Sequence, residues 1–349
     1  MMSLKNKINQ VSSFDYVSFD VFDTLLFRTT NHYMDIFDLV EDVYNQKYGD
    51  SLRNFRKNRT SAEVSARTAR KGKEVTLDMI YSYLPYEKKM AELLKEIEVD
   101  CEIRNCVPNK CMIDFLNDCR EKGKKIVITT DMYLPRSYFL TVFQKLGIFF
   151  DYLFISGEEG VTKRTGQLFQ VVLDKLQILS SQIVHIGDDL NNDIEQPRKY
   201  GIMAYERSLP NPLVLPYSRG QKKDLQRKLF TNFLHIGLNN HGQVDTPFIL
   251  GYTVVGPLLW EYCQWLHQQK EKYGLERLLF VAREGYLIKN CYELIYPEEK
   301  ETIAYVRLNK NLLRFPMLDS DKALECFIMS IPPRRSLKWS DILAYLYIE

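Results

Sequence analysis

Four short apolar runs, over 16–20, 125–129, 152–155 and 183–186, alternate with stretches of helical period over 112–121, 138–146 and 166–176. This alternation constrains the chain more than any other feature. Runs of four to six apolar residues are too short for helices but fit strands buried on both faces. Glycines at 123 and 147 stop two of the intervening helices where a left-handed cap is needed. Strands separated by helices of this length imply βαβ crossovers, and hence an α/β fold with a Rossmann-like parallel sheet.

The rest of the chain extends that pattern. From about 31 to 105 the sequence is helical and charged, with apolar residues such as Ile36, Leu39, Val40 and Val43 at three- and four-residue spacing. Three prolines between 209 and 216 read as a linker. Beyond it, an apolar helix over 251–268, a buried strand over 277–281 and a further element at 303–306 suggest a C-terminal α/β unit, with a last helix over 340–348. A length of 349 residues is consistent with two or three domains. The expected division is a core of 1–30 and 106–208, a helical insertion at 31–105, a linker at 209–216 and an accessory domain, incomplete at its end, at 217–349.

Composition excludes several classes. At 45% hydrophobic and 26% charged residues, the chain is neither disordered nor fibrous. A net charge of +2 makes no demand for nucleic acid or an anionic membrane. No window approaches the roughly 18 apolar residues of a spanning helix, and the start has no apolar signal core. Seven cysteines without a secretory signal point to free thiols and a cytoplasmic protein. Cys101, Cys106, Cys111 and Cys119 lack the paired spacing of a zinc site and read as small buried helix residues.

The strand ends carry the chemistry. The first run closes Phe19-Asp20-Val21-Phe22-Asp23-Thr24, the second Thr129-Thr130-Asp131, and the fourth Gly187-Asp188-Asp189-Leu-Asn-Asn-Asp193; Lys163 lies in the loop after the third. Parallel sheets place ligands at these carboxyl ends. Carboxylates from two ends can hold Mg²⁺ with a substrate phosphate, while a hydroxyl and an ammonium take the remaining phosphate oxygens. A carboxylate aligned with phosphorus can act as nucleophile. His185, inside an apolar run, reads as a core or supporting residue rather than a ligand.

These four segments, in this order, resemble the four motifs of the haloacid dehalogenase-like (HAD) superfamily across about residues 14–207. The resemblance makes the insertion at 31–105 a helical cap, Asp20 the nucleophile, Thr130 the phosphate-binding hydroxyl and Lys163 the charge-stabilising lysine. It assigns Mg²⁺ to Asp20, the Phe22 carbonyl, Asp188 and Asp193. One position departs: where the phosphatases of the superfamily usually carry a second aspartate as general acid/base, this chain has Phe22. An aromatic residue also stands there in haloacid dehalogenases, so displacement at carbon is a competing reading. A catalytically weak phosphate-ligand-binding module is a third. The segment Leu278-Leu-Phe-Val-Ala-Arg283-Glu284-Gly285-Tyr286 resembles the "LARDGY"-type extension of bacterial predicted hydrolases associated with surface polysaccharide genes. That resemblance implies association with glycan-synthesis enzymes.

Between Arg53 and Lys73 lie eight basic residues and one acidic residue, Glu63, a local net charge of +7 hidden in a nearly neutral chain. Arg59, Glu63 and Arg67 fall on one helical stripe. A cap closing over an anion has reason to present arginines, so Arg59, Arg67 and Arg28 are expected to bind the substrate. The alternatives are a solvated face or an internal ion pair. The run lacks the interleaved aromatics of nucleic-acid binders. The expected reaction is Mg²⁺-dependent phosphoryl hydrolysis or transfer on a small anionic phosphorylated metabolite.

Overall fold

Strand β1 (Tyr16–Phe19) organises the sheet, because all four of its residues pair on both sides. In the computed structural model it runs parallel to β4 (Lys125–Thr130) on one side and β6 (Ile183–Gly187) on the other. β5 (Tyr152–Ile155) and β7 (Met203–Glu206) complete a five-stranded parallel sheet in the order β5-β4-β1-β6-β7. The structure describes residues 11–30, 32–49, 51–207, 225–308, 320–329, 338 and 340. The expected linker at 209–216 and nearly all of the expected helix at 340–348 lie outside these residues.

The strands are buried on both faces, which is why they read as unbroken apolar runs: Val17, Phe19, Ile126, Val127, Ile128 and Val184 have no exposed surface. Three polar residues in the sheet centre satisfy one another. Ser18 Oγ lies 2.9 Å from Thr129 Oγ1 and 2.8 Å from His185 Nδ1, so no buried group is left unpaired in that row. At the end of the helix Arg136–Leu146, Gly147 adopts φ +66°. The Gly147 and Ile148 amides donate to the carbonyls of Gln144 and Phe143, which ends the helix and returns the chain to the sheet.

The insertion leaves and re-enters the core through a small ribbon that the apolar pattern does not reveal. β2 (Leu26–Arg28) pairs antiparallel with β3 (Cys106–Pro108), joining both necks of the insertion. Between them lie helices Asp35–Tyr48, Phe55–Ala69, Leu77–Tyr81 and Lys88–Arg104. Their interior is organised around a charge. Arg59 is fully buried, and its Nε and Nη2 each donate to a different Glu98 oxygen at 2.8 Å. The Tyr81 hydroxyl donates to the same carboxylate at 2.7 Å, and the guanidinium lies 4.7 Å from the Phe37 ring and 4.9 Å from the Tyr133 ring.

The chain separates into two compact units, Met1–Asp245 and Thr246–Glu349, so the division falls later than the 217 expected for the accessory domain. The helix Leu225–Asn240 belongs with the first unit because it is hydrogen-bonded to the ribbon. Asn232 Nδ2 donates to the carbonyls of Arg28 and Thr30, and Asn240 Nδ2 donates to Pro108 at 2.9 Å. The second unit has a parallel pair, β8 (Leu278–Val281) and β9 (Ile303–Val306), with helices Gly256–Lys272 and Gly285–Ile295 around a core of Cys263, Phe280, Tyr292 and Ile303. No helix among the described residues is long and apolar enough to cross a membrane.

All seven cysteines are free. Burial pushes the thiols of Cys101 and Cys119 up to about 12 and that of Cys106 up to about 11. A thiol reagent at pH 8 is therefore expected to label exposed Cys326 rapidly and to spare these three until the chain is unfolded; rapid labelling of Cys106 in the native protein contradicts this packing. Glu98→Gln leaves the buried Arg59 charge only the single Glu63 contact at 3.3 Å and is expected to cost about 3–5 kcal/mol in urea unfolding. A loss below about 1 kcal/mol, the scale of an exposed pair, contradicts the buried pair.

Candidate active site

The carboxyl ends of β1, β4 and β6 lie side by side because the three strands are parallel and in register, with Phe19 opposite Ile128 and Ile186. Asp20 follows β1, and its amide donates to the Ile186 carbonyl at 2.9 Å, which aims it at the next strand end. Thr130 is the last residue of β4 and is almost fully buried. Asp188 follows β6. A wide helical turn, Leu190–Glu195, then folds Asp193 back against the strand, with its side chain accepting from the Asp189 amide at 3.1 Å. Gly187 makes this possible: a Cβ there would lie 2.3 Å from the Asp193 carboxyl carbon.

Lys163 arrives from the loop after β5. Asp131 anchors that loop by accepting from the Lys163 and Arg164 amides at 2.7 and 3.2 Å. The Lys163 ammonium, 3% exposed, donates to Asp20 Oδ1 at 2.5 Å and to Asp193 Oδ1 at 2.6 Å. His185 Nε2 lies 3.1 Å from the same Asp193 oxygen. Burial holds the imidazole below its usual pKa. A neutral ring donates from Nε2 to Asp193 and accepts from Ser18 at Nδ1. Thr24 Oγ1 donates to Asp188 at 3.2 Å, and the Asn109 amide, donating to the Thr24 carbonyl at 2.8 Å, fixes that turn.

Carboxylate oxygens of Asp20, Asp188 and Asp193 all lie within 4.8 Å of one another. The ammonium bonds two of these three carboxylates, and burial together with their mutual repulsion shows in their proton affinities. Burial, opposed by Lys163 and reinforced by Asp193 and Asp188, pushes Asp20 up to about 8. Burial and then Asp23 push Asp188 up to about 6, against the pull of Arg207. Asp193 goes the other way, because Lys163 and His185 outweigh its burial and hold it well below the usual carboxylate range. Lys163 is held above its ordinary value by Asp20 and Asp193 despite burial. A clustered set of hard oxygen donors with uncompensated negative charge is a donor set that fits Mg²⁺.

The sequence-expected residues Asp20, Lys163, Asp188 and Asp193 thus come together, with Thr130 at the adjoining strand end and Phe22 in the turn that follows Asp20. The arginines do not gather with them as expected. Arg59 is sealed in the cap by Glu98 and has no surface to offer an anion, so it is an internal ion pair rather than a substrate ligand. Arg67 is spent on Glu63 at 2.9 Å and Glu74 at 2.6 Å. Arg28 is beside the site, its guanidinium 3.6 Å from the centre of the Phe22 ring, but its Nε is bound to buried Glu102 at 3.0 Å. The Phe22 ring is also stacked on Tyr138 at 6.4 Å, so an aromatic–cation stack fills the place where an acid/base carboxylate was looked for.

Two residues at this edge were not read from the sequence in these roles. Asp131 was visible as a strand-end carboxylate, but its loop-anchoring bonds depend on a segment 32 residues away. Arg207 follows β7, whose residues Met203-Ala-Tyr-Glu206 make no apolar run.

A model of the haloacid dehalogenase-like hydrolases matches residues 14–200. No curated protein matches the chain. Among solved structures, it is similar to a 2-haloacid dehalogenase from Pseudomonas syringae pv. Tomato DC3000, at 13% identity over 54% of this chain and 84% of that one, TM-score 0.39. It is similar to a HAD phosphatase from Thermococcus onnurineus at 17% identity, 54% and 84% coverage and TM-score 0.38. It is also similar to a HAD family enzyme from Bacteroides thetaiotaomicron at 13% identity, 57% and 96% coverage and TM-score 0.41. Identities this low leave the reaction to be argued from the site.

Lys163→Met leaves buried carboxylates facing one another without their cation. It is expected to destabilise the protein by about 3–5 kcal/mol in denaturant unfolding at pH 8, with millimolar Mg²⁺ recovering part of the loss. An unchanged unfolding midpoint contradicts the bridging role of this lysine.

Proposed function

The chain belongs to the haloacid dehalogenase-like hydrolase family, and we propose that within it this protein is a Mg²⁺-dependent phosphohydrolase acting on a small anionic phosphate ester. The observation that carries the reading is the Asp20–Asp188–Asp193 cluster closed by Lys163, a donor set suited to a divalent cation and a phosphoryl group together. Displacement at carbon by a carboxylate makes no comparable use of three clustered acids.

In this reading Asp20, Asp188 and Asp193, with the Phe22 carbonyl, would hold Mg²⁺, which would supply Lewis-acid neutralisation of phosphoryl charge. The Asp20 carboxylate attacks phosphorus, the ester O–P bond breaks, and the leaving oxygen departs as the alcohol after taking a proton. The intermediate is an acyl phosphate on Asp20. Water then attacks phosphorus, returning the carboxylate and releasing inorganic phosphate. Lys163 compensates charge on Asp20 and the phosphoryl oxygens through both steps, and Thr130 donates its hydroxyl to a phosphoryl oxygen. His185 keeps Asp193, and through it Lys163, in place. The leaving-group proton comes from water or Asp23, since Phe22 has none to give. A positioned acid is worth roughly 10²–10⁴ in rate.

Phe22 therefore makes an expectation specific to this chain: aryl phosphates, whose leaving groups need little protonation, turn over about 10²–10⁴-fold faster than alkyl phosphates. Phosphate release from the two classes measures it, and equal rates mean that another residue supplies the acid. The assay is run with and without Mg²⁺, for wild type and Asp20→Asn. Turnover independent of both metal and Asp20 refutes the phosphatase reading. The aromatic Phe22 with the Arg28 cation against it favours the second reading, dehalogenation, and halide release from a 2-haloacid would establish that instead.

A further inference from the structure

Arg207 is the first residue beyond β7, on the same edge of the sheet as the carboxylate cluster. Its amide donates to the Gly187 carbonyl at 2.6 Å, which fixes its backbone beside the corner that presents Asp188. The residue is 7% exposed, and its guanidinium carbon lies 5.6 Å from the centre of the Phe27 ring. Its Nε and Nη1 are buried and have no hydrogen-bond partner among the described residues. This sets it apart from Arg28 and Arg59, each closed on a buried glutamate.

A guanidinium does not give up its proton, so burial without partners leaves a desolvated charge and unmet donors, at a cost of several kcal/mol. The charges of Asp188, Asp23 and Asp20 act on Arg207, in that order of strength, against the effect of its burial. They attract it, yet none of the three forms a hydrogen bond with Nε or Nη1. The fork is therefore held next to the reacting centre with donors unspent. An oxyanion placed against the guanidinium supplies an acceptor and the missing negative charge.

We infer that Arg207 binds a second anionic group of the substrate, a carboxylate or a further phosphate, and so selects phosphate esters that carry one. This rests on the phosphohydrolase reading and narrows its substrate class. It also moves the anion-recognition role from the cap arginines, which are internally paired, to the edge of the sheet.

The test uses the full chain with Mg²⁺ and three non-hydrolysable probes in titration calorimetry: ethylphosphonate, 3-phosphonopropionate and propane-1,3-bisphosphonate. Wild type is expected to bind one or both two-anion probes about tenfold or more tighter than ethylphosphonate, the scale of one charge-assisted hydrogen bond. The tighter of the two identifies the second group as carboxylate or phosphate. Arg207→Met erases the gap, read as the ratio of two-anion to ethylphosphonate affinity within each variant, and Arg207→Lys restores part of it. Because the substitution removes an unpaired buried charge, the melting temperature of Arg207→Met is expected to be unchanged or raised. A gap that is absent in wild type, or that persists in Arg207→Met, overturns the inference. Aryl phosphate turnover measured in parallel separates the failures: turnover without the gap sinks only the role of Arg207. Absence of both turnover and probe binding sinks the phosphohydrolase reading with it.

Discussion

The structure of the site depends on one ammonium group. Lys163 lies between Asp20 and Asp193, and these three residues come from three different strand ends. Without it, buried carboxylates would face one another across the carboxyl edge of the sheet, where Coulomb repulsion is large and poorly screened. With it, the strand ends are drawn to common points. The surrounding bonds serve that bridge. Asp131 clamps the loop that carries Lys163, Gly187 leaves room for Asp193, and the row Thr129–Ser18–His185 runs through the sheet to hold Asp193 from behind.

The bridge is incomplete as a charge balance, and that incompleteness is what makes the cluster a donor set for a divalent cation. Lys163 bonds only two of the three carboxylates, and burial first, then the neighbouring carboxylates, raise the proton affinities of Asp20 and Asp188. A divalent cation relieves that repulsion. The cap shows the opposite arrangement: Arg59 is closed on both oxygens of Glu98, with Tyr81 on the same carboxylate and rings around the guanidinium. There the polar groups are satisfied and the role is structural. Arg207 belongs with the first kind, a buried charge with donors unspent.

Much of this was legible in the sequence where the signal was local. The strands β1, β4, β5 and β6 are buried on both faces and read as apolar runs, and Asp20, Thr130, Lys163, Asp188 and Asp193 could be found by their positions at or just beyond the strand ends. What could not be read depends on partners distant in sequence. β2 and β3 are three residues each and pair across the whole insertion, so neither has a pattern of its own. The stripe of Arg59, Glu63 and Arg67 was correctly periodic. Its Arg59 end was turned into the cap interior by Glu98, 39 residues on, while Arg67 stays exposed and paired with Glu63 and Glu74. Arg207 follows β7, Met203-Ala-Tyr-Glu206, which buries a single residue and forms no apolar run, and the helix Leu225–Asn240 joined the first unit through asparagine bonds that no hydrophobic pattern encodes.

The central claim is that Asp20 is the group that becomes covalently phosphorylated. Mass spectrometry of the full chain, acid-quenched during turnover of an aryl phosphate with Mg²⁺, tests it directly. The account predicts an added mass of one phosphoryl group, mapped to Asp20 and removed by hydroxylamine. A phosphoryl group mapped to another residue, or an ester formed at carbon on Asp20, would contradict it.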